Sequence, residues 1–109
     1  MRIGRLDRRI DIERLTQGNT NGVKTESWAA LVSDLPATAM QMSGREAMQQ
    51  GGAAAEVDTV FTIRYRGDVL ETDRIDWGGR KYDIKFIREI GRREGEEIHA
   101  RFNQAASQS

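Results

Sequence analysis

Val57-Asp58-Thr59-Val60-Phe61-Thr62-Ile63-Arg64-Tyr65-Arg66 is the most regular stretch of the sequence. Its odd-numbered positions include the large apolar residues Phe61 and Ile63, and its even-numbered positions are mainly polar. A period of two places successive side chains on opposite faces of a β-strand. The stretch therefore predicts a strand whose odd-numbered face lies in a hydrophobic core.

The same alternation recurs on both sides of this stretch, between clusters of turn-forming residues. The further predicted strands are Arg8–Leu15, Val23–Val32, Asp34–Met42, Arg74–Trp77, Arg80–Ile90 and Glu97–Phe102. The first two form a predicted hairpin whose long tip, Thr16–Gly22, ends in the turn dipeptide Asn-Gly. Pro36 weakens the start of the third, because proline cannot donate to a sheet ladder.

The predicted strand near the C-terminus, which begins at Arg80, alternates irregularly. Tyr82, Ile84 and Phe86 are expected to face inward. Ile87 and Ile90 then break the alternation, which indicates a bulge or a strand that is apolar on both faces.

About seven strands separated by turns, with one short helical insertion, predict an all-β, mainly antiparallel fold, either a small β-barrel or a sandwich. We expect a single domain over residues 1–103, an inserted loop and helix over residues 43–56, and a flexible tail over residues 104–109. Ser43 and Glu46 have the spacing of a capping box, which favours a short helix over Arg45–Gln50. Gly51-Gly52 would end that helix.

The composition excludes several functional classes. The 109 residues contain 17 Lys and Arg against 17 Asp and Glu, so the formal net charge is zero, which argues against a protein held on nucleic acid by phosphate contacts. There is no cysteine and only one histidine, so no disulfide framework, thiolate metal site or histidine cluster is expected. No targeting segment or membrane-spanning stretch is apparent, and no membrane association is predicted.

The sequence contains no recognisable catalytic constellation. His99 is predicted to be an ordinary surface histidine beside Glu97, without a nucleophile. The carboxylates of Asp73, Asp76 and Glu96 lie beside turns among many basic residues and are expected to be solvated. We therefore predict that the protein is not an enzyme and that it needs no cofactor and no metal.

Two segments could contact partners. The insertion Ser43–Glu56 is rich in Met, Gln, Gly and Ala, and it could plug one end of a barrel, order against a partner subunit, or do both. Arg64 and Arg66 form an outward basic stripe. They could pair across strands with acids such as Asp76 or Asp83, or they could contact DNA or an acidic partner.

Four signatures resemble the head–tail joining proteins of long-tailed bacteriophages, also called head closure or head-completion connector proteins. They are Gly4-Arg5-Leu6-Asp7-Arg8-Arg9-Ile10-Asp11-Ile12-Glu13-Arg14, Ser43-Gly44-Arg45-Glu46, Phe61-Thr62-Ile63-Arg64-Tyr65-Arg66, and Asp73-Arg74-Ile75 followed by Gly79-Arg80-Lys81-Tyr82-Asp83-Ile84. They occur in the family's order and span nearly the whole chain.

The resemblance implies a structural protein of the virion neck at the portal vertex. Such proteins are small β-barrels that form a ring, expected to be twelve-fold, which closes the DNA channel and docks the tail. The portal and its adaptor would lie above the ring, with a tail-completion protein or the tail tube below. DNA would pass through without specific binding. The protein would be monomeric when free and would assemble in the host cytoplasm.

The resemblance and the charge pattern together assign candidate partner or ring contacts to the inserted segment, the basic stripe and a charged turn. These residues are Ser43, Gly44, Arg45, Glu46, Met48, Gln49, Gln50, Arg64, Arg66, Arg92, Arg93 and Glu94. Two alternatives stay open. One is a tail-completion or tail-terminator protein of the same neck. The other is an oligonucleotide-binding barrel, which would need exposed aromatic side chains on one face.

Overall fold

The computed structural model describes residues 5–42 and 57–107, which form one closed antiparallel β-barrel and a short helix. The strands are β1 (Arg8–Thr20), β2 (Val23–Gln41), β3 (Thr59–Arg64), β4 (Arg74–Trp77), β5 (Arg80–Ile90) and β6 (Gly95–Phe102), followed by helix α1 (Gln104–Ser107). Around the barrel the order is β1-β2-β3-β6-β5-β4, and β4 pairs with β1 to close it. The all-β prediction is confirmed, and the architecture is the barrel rather than the sandwich.

The β1–β2 hairpin is longer and more regular than the sequence indicated. The prediction that Thr16–Gly22 forms a long loop is wrong, because β1 continues to Thr20 and only Asn21 and Gly22 form the turn. Both turn residues have positive φ, 54° and 80°, as a two-residue type I′ turn requires. This part of β1 has no alternation of polar and apolar residues, because neither of its faces packs on the core.

The second and third predicted strands are one continuous strand, β2, so the described residues contain six strands rather than about seven. The pairing of β1 with β2 shifts register on both sides of Ile12, and Asp34 has a φ of 54°. These irregularities bend β2 without ending it. Pro36 precedes Thr38–Gln41, the segment that pairs with β3, so its missing donor does not interrupt that ladder.

The core fills the inside of the barrel with side chains from every strand. Phe61 and Ile63, the inward residues of the most regular stretch, are fully buried. The Phe61 ring meets Tyr82 edge-on at 5.2 Å and Trp77 at 5.7 Å between ring centroids. Such edge-to-face pairs stabilise the core by about 0.5–1.5 kcal/mol each beyond the area they bury.

The bulge predicted in β5 lies between Ile84 and Phe86. After it, Ile87 lies opposite the buried Ile98, and Phe86 lies opposite His99. The prediction that Phe86 faces inward is therefore wrong. It packs on a second apolar cluster outside the barrel, formed by Met42, Val57 and Val60.

The predicted inserted helix, Arg45–Gln50, lies outside the described residues. At the C-terminus, Asn103 is tied to the barrel because its backbone N–H donates to the Lys81 carbonyl at 2.8 Å. Helix α1 follows it, and the flexibility of the tail stays a prediction. Within residues 5–42 and 57–107, no helix has the length and apolar content needed to cross a bilayer.

Candidate partner-binding surfaces

The barrel has two ends that carry different candidate contact residues. At one end, which we call the insertion end, the chain leaves at Met42 and returns at Val57, and the Met42 N–H donates to the Asp58 carbonyl at 2.8 Å. The seven candidates from Ser43 to Gln50 lie beyond this point, outside the described residues. At the opposite end, Arg64 of β3 pairs with Gly95 of β6. We call this the arm end, because the β1–β2 hairpin leaves the barrel there.

The structure brings the other five candidates together at the arm end. Arg64, Arg66, Arg92, Arg93 and Glu94 are all exposed. The Arg93 guanidinium lies 5.6 Å from the centre of the Tyr65 ring, which joins the β5–β6 turn to the end of β3. Arg64 makes no ion pair with any residue the structure describes, so its charge is open to a partner.

Arg66 pairs with Asp68 rather than with Asp76 or Asp83. Its guanidinium donates to both Asp68 carboxylate oxygens at 3.0 Å. These hydrogen bonds from Arg66 lower the pKa of the Asp68 carboxyl below its usual value, although partial burial opposes the shift. One of the two arginines of the basic stripe, Arg66, is thus neutralised by Asp68 in the loop that follows β3.

Glu96 is buried, and the expectation that it is solvated is wrong. Its Oε1 accepts the backbone N–H groups of Arg66 at 2.7 Å and Gly67 at 3.0 Å. A buried carboxylate that satisfies two loop donors holds the loop in one place. Glu96 therefore positions the candidate contact Arg66.

Asp73 is also buried, contrary to the expectation from sequence. Arg14 donates to its two oxygens at 2.9 and 3.0 Å, and the Leu70 N–H donates at 2.8 Å. Hydrogen bonding to Asp73 raises the pKa of the Arg14 guanidinium, although burial opposes the shift. Arg14 Nη2, which is one of the two nitrogens bound to Asp73, also donates to the Asp68 carbonyl at 2.7 Å. Arg14 thus ties the β1–β2 hairpin to the loop that carries Asp68 and Asp73.

A second ion-pair network lies beside this one on the outer wall. Glu13 accepts hydrogen bonds from Arg74 at 2.7 Å and from Lys81 at 3.1 Å, and Lys81 also reaches Asp76 at 2.6 Å. Burial lowers the pKa of the Lys81 ammonium, but its hydrogen bonds with Asp76 and Glu13 outweigh this effect and raise it overall. Arg74 also stacks on the Trp28 ring, 4.1 Å from its centre. Asp76 is therefore paired and partly buried rather than freely solvated.

His99 points outward but is covered, so the prediction of an ordinary surface histidine is wrong. Its ring is stacked on Phe86 with centroids 4.1 Å apart and an interplanar angle of 16°. Its Nε2 lies 3.4 Å from Glu97 Oε1, and its Nδ1 is buried without a partner among the described residues. The outward turn of Phe86 at the bulge is what covers this ring. Among those residues, no group of three acidic or histidine side chains could hold a metal ion.

Comparisons with known proteins agree with this architecture. The family model described as phage head completion protein matches residues 1–102. The solution structure of protein SF1141 from Shigella flexneri 2a is similar to the chain, with a TM-score of 0.81 and 31% sequence identity, and the match covers 95% of this chain and 98% of that chain. No curated protein matches the chain.

Proposed function

Because the chain belongs to the phage head completion protein family, we propose that it forms a ring that joins and closes the DNA-filled head below the portal and its adaptor and docks the tail. Membership of this family implies a structural role in completing a phage head, and so a component of the virion. The ring, its expected twelve-fold symmetry and its place in the neck go beyond that. The observation that carries the proposal is the family match over residues 1–102.

The two different ends of the barrel support a role between two neighbours. The arm end exposes five candidate contacts of mixed charge, and the insertion end carries the segment from Ser43 to Glu56. A subunit in a ring needs contacts with its neighbours and with the components above and below it. Mixed charges across such contacts set register and partner choice more than affinity. We propose that the free protein is a monomer that assembles in the host cytoplasm.

A structural role also accounts for the placement of the aromatic side chains. All seven aromatic residues lie in the described parts of the chain, and every one of them is buried or half-buried. An oligonucleotide-binding barrel needs exposed rings on which bases stack. That alternative therefore lacks its main requirement, and we propose neither nucleic-acid recognition nor catalysis.

Reconstitution of the neck tests the proposal. Purified protein is mixed with portal–adaptor complexes and separately with tail tubes, and the particles are imaged by electron microscopy. We expect a stoichiometric ring on the adaptor. Binding to the tail tube alone would instead indicate a tail-completion or tail-terminator protein, and binding to neither would contradict a role in the neck.

A further inference from the structure

The tip of the β1–β2 hairpin extends beyond the barrel as a free ribbon, Thr16–Ser27, which we call the arm. β1 pairs with β4 only over Asp11–Glu13, and β2 pairs with β3 only from Thr38, so within the described residues the arm's two strands pair only with each other. Each arm residue whose side chain is described is exposed. A two-stranded ribbon alone is marginally stable in water. Packing against a partner would therefore stabilise the arm.

The base of the arm is held firmly, so the arm leaves the barrel in a fixed direction. Arg14, two residues before the arm, makes the paired hydrogen bonds with the buried Asp73. Trp28, directly after the arm, is stacked under Arg74, which in turn is bound to Glu13. A positioned ribbon loses less entropy on docking than a flexible loop does.

One face of the arm carries hydroxyl residues, glycine and valine but no charge, whereas the other face carries amide and charged side chains. The Thr16 and Ser27 hydroxyl oxygens lie 2.9 Å apart, so these side chains share a face. Gly18 lies opposite Thr25 on that face, and a Cβ at Gly18 would come within 2.9 Å of Thr25 Oγ1. Val23, at the tip, is 63% exposed. Lys24 and Glu26 alternate onto the other face. Charged residues are depleted at the centre of protein interfaces, so the uncharged face is the side of the arm better suited to contact a protein.

The dimensions of the arm match those of a neighbouring copy. Six residues of a strand span about 20 Å, and the two shorter dimensions of the molecule are 28 and 23 Å. One arm is therefore nearly as long as the barrel is wide and can lie along most of the wall of an adjacent copy. A ring is built from heterologous contacts in which a projection of each copy meets a different surface of the next.

From these observations we infer that the arm of each copy lies with its uncharged face on the barrel of the next copy. The inference rests on the ring of the proposed function and names the contact between its subunits. The uncharged face covers only about 200 Å², from a length of about 20 Å and a width of about 10 Å. A stable interface buries about 800 Å² per partner. The contact therefore forms where an adaptor already holds the copies side by side, and the free protein stays monomeric.

Shortening the arm is the first test. Replacing Gln17–Glu26 by Asn-Gly closes the hairpin directly after Thr16, and the pair Thr16–Ser27 has the same phase as the native closing pair Thr20–Val23. The variant keeps Arg14 and Trp28, so its thermal unfolding midpoint should change little. On portal–adaptor complexes we expect about tenfold or more fewer complete rings than with the natural chain, because the contact is lost at every seam.

Site-specific crosslinking is the second test and does not depend on the shortened variant. Because the chain has no cysteine, Thr25→Cys and the matched Glu26→Cys each carry a photocrosslinker at a single position, one on each face. In assembled rings we expect Thr25→Cys to crosslink to the barrel of another copy far more often than Glu26→Cys does. Equal crosslinking, or crosslinks only to adaptor or tail proteins, would overturn the inference.

The two tests separate the arm from the ring. If the natural chain forms rings and the shortened variant forms them equally well, the inference fails while the proposed function stands. If the natural chain forms no ring on any neck component, both fail.

Discussion

The Asp73 side chain holds the loop of the arm end through three hydrogen bonds, two from Arg14 and one from the Leu70 backbone. Asp73→Asn preserves its shape and removes the charge that both Arg14 hydrogen bonds use. We expect the free energy of unfolding to fall by about 1.5–3 kcal/mol, the usual contribution of a hydrogen bond to a charged group. Urea unfolding measures it. Asp68→Asn breaks the more exposed pair with Arg66, and the free energy of unfolding should fall by less than about 1 kcal/mol. Equal losses in the two variants would contradict the larger contribution expected of Asp73.

The burial of individual polar side chains is the feature of the site that the sequence predicts least well. Asp73, Glu96 and His99 were all expected to be solvated, and all are buried. Each carboxylate is buried with a partner that is distant along the chain, the Arg14 side chain for Asp73 and the Arg66 and Gly67 backbone for Glu96, and no local pattern encodes such a partner. His99 is covered because of Phe86, and here the signal existed: Ile87 and Ile90 indicated a bulge but not which side chain it turned outward.

The bulge in β5 gives the barrel an outer apolar cluster. Phe86→Ala removes the ring that covers His99 and packs on Met42, Val57 and Val60. Loss of a fully buried phenylalanine costs about 3–5 kcal/mol. Phe86 is half-buried, so we expect about 1–3 kcal/mol in urea unfolding. The neighbouring exposed Lys85→Ala should change the free energy of unfolding by less than about 0.5 kcal/mol. A Phe86→Ala effect as small as that of Lys85→Ala would show that the outer cluster is not part of the fold.

Strand periodicity predicted the inward-facing elements well and the solvated ones poorly. Phe61 and Ile63 were identified because one face of β3 is buried and the alternation is enforced by the core. The segment Thr16–Thr20 has no strand periodicity, because both faces of the arm meet solvent, and its polar residues also suit turns. The Asn21-Gly22 dipeptide was the reliable signal there, since both residues take the positive φ of a tight hairpin turn.

Over the whole molecule the net charge is zero, and several basic side chains are also neutralised locally by a neighbouring carboxylate. Arg14, Arg66, Arg74 and Lys81 are each paired with a carboxylate on the barrel surface. Nonspecific DNA binding is driven by the release of counterions when free basic groups meet phosphates. Basic groups already held by acids contribute little to it, so these four pairs lower the attraction that the proposed ring would have for DNA in its channel.

This arrangement predicts weak DNA binding by the free protein. We expect a dissociation constant weaker than about 10⁻⁴ M for a short duplex near physiological salt, below the affinity typical of nonspecific binders. Fluorescence anisotropy of a labelled duplex over a salt series measures it. The double variant Glu71→Lys/Glu89→Lys changes two exposed acids to bases and raises the net charge from zero to about +4. Its affinity should rise and become steeply salt-dependent. Micromolar binding by the natural chain with an equally steep salt dependence would mean that its basic groups are free for phosphate, and would contradict the expected weak binding of DNA.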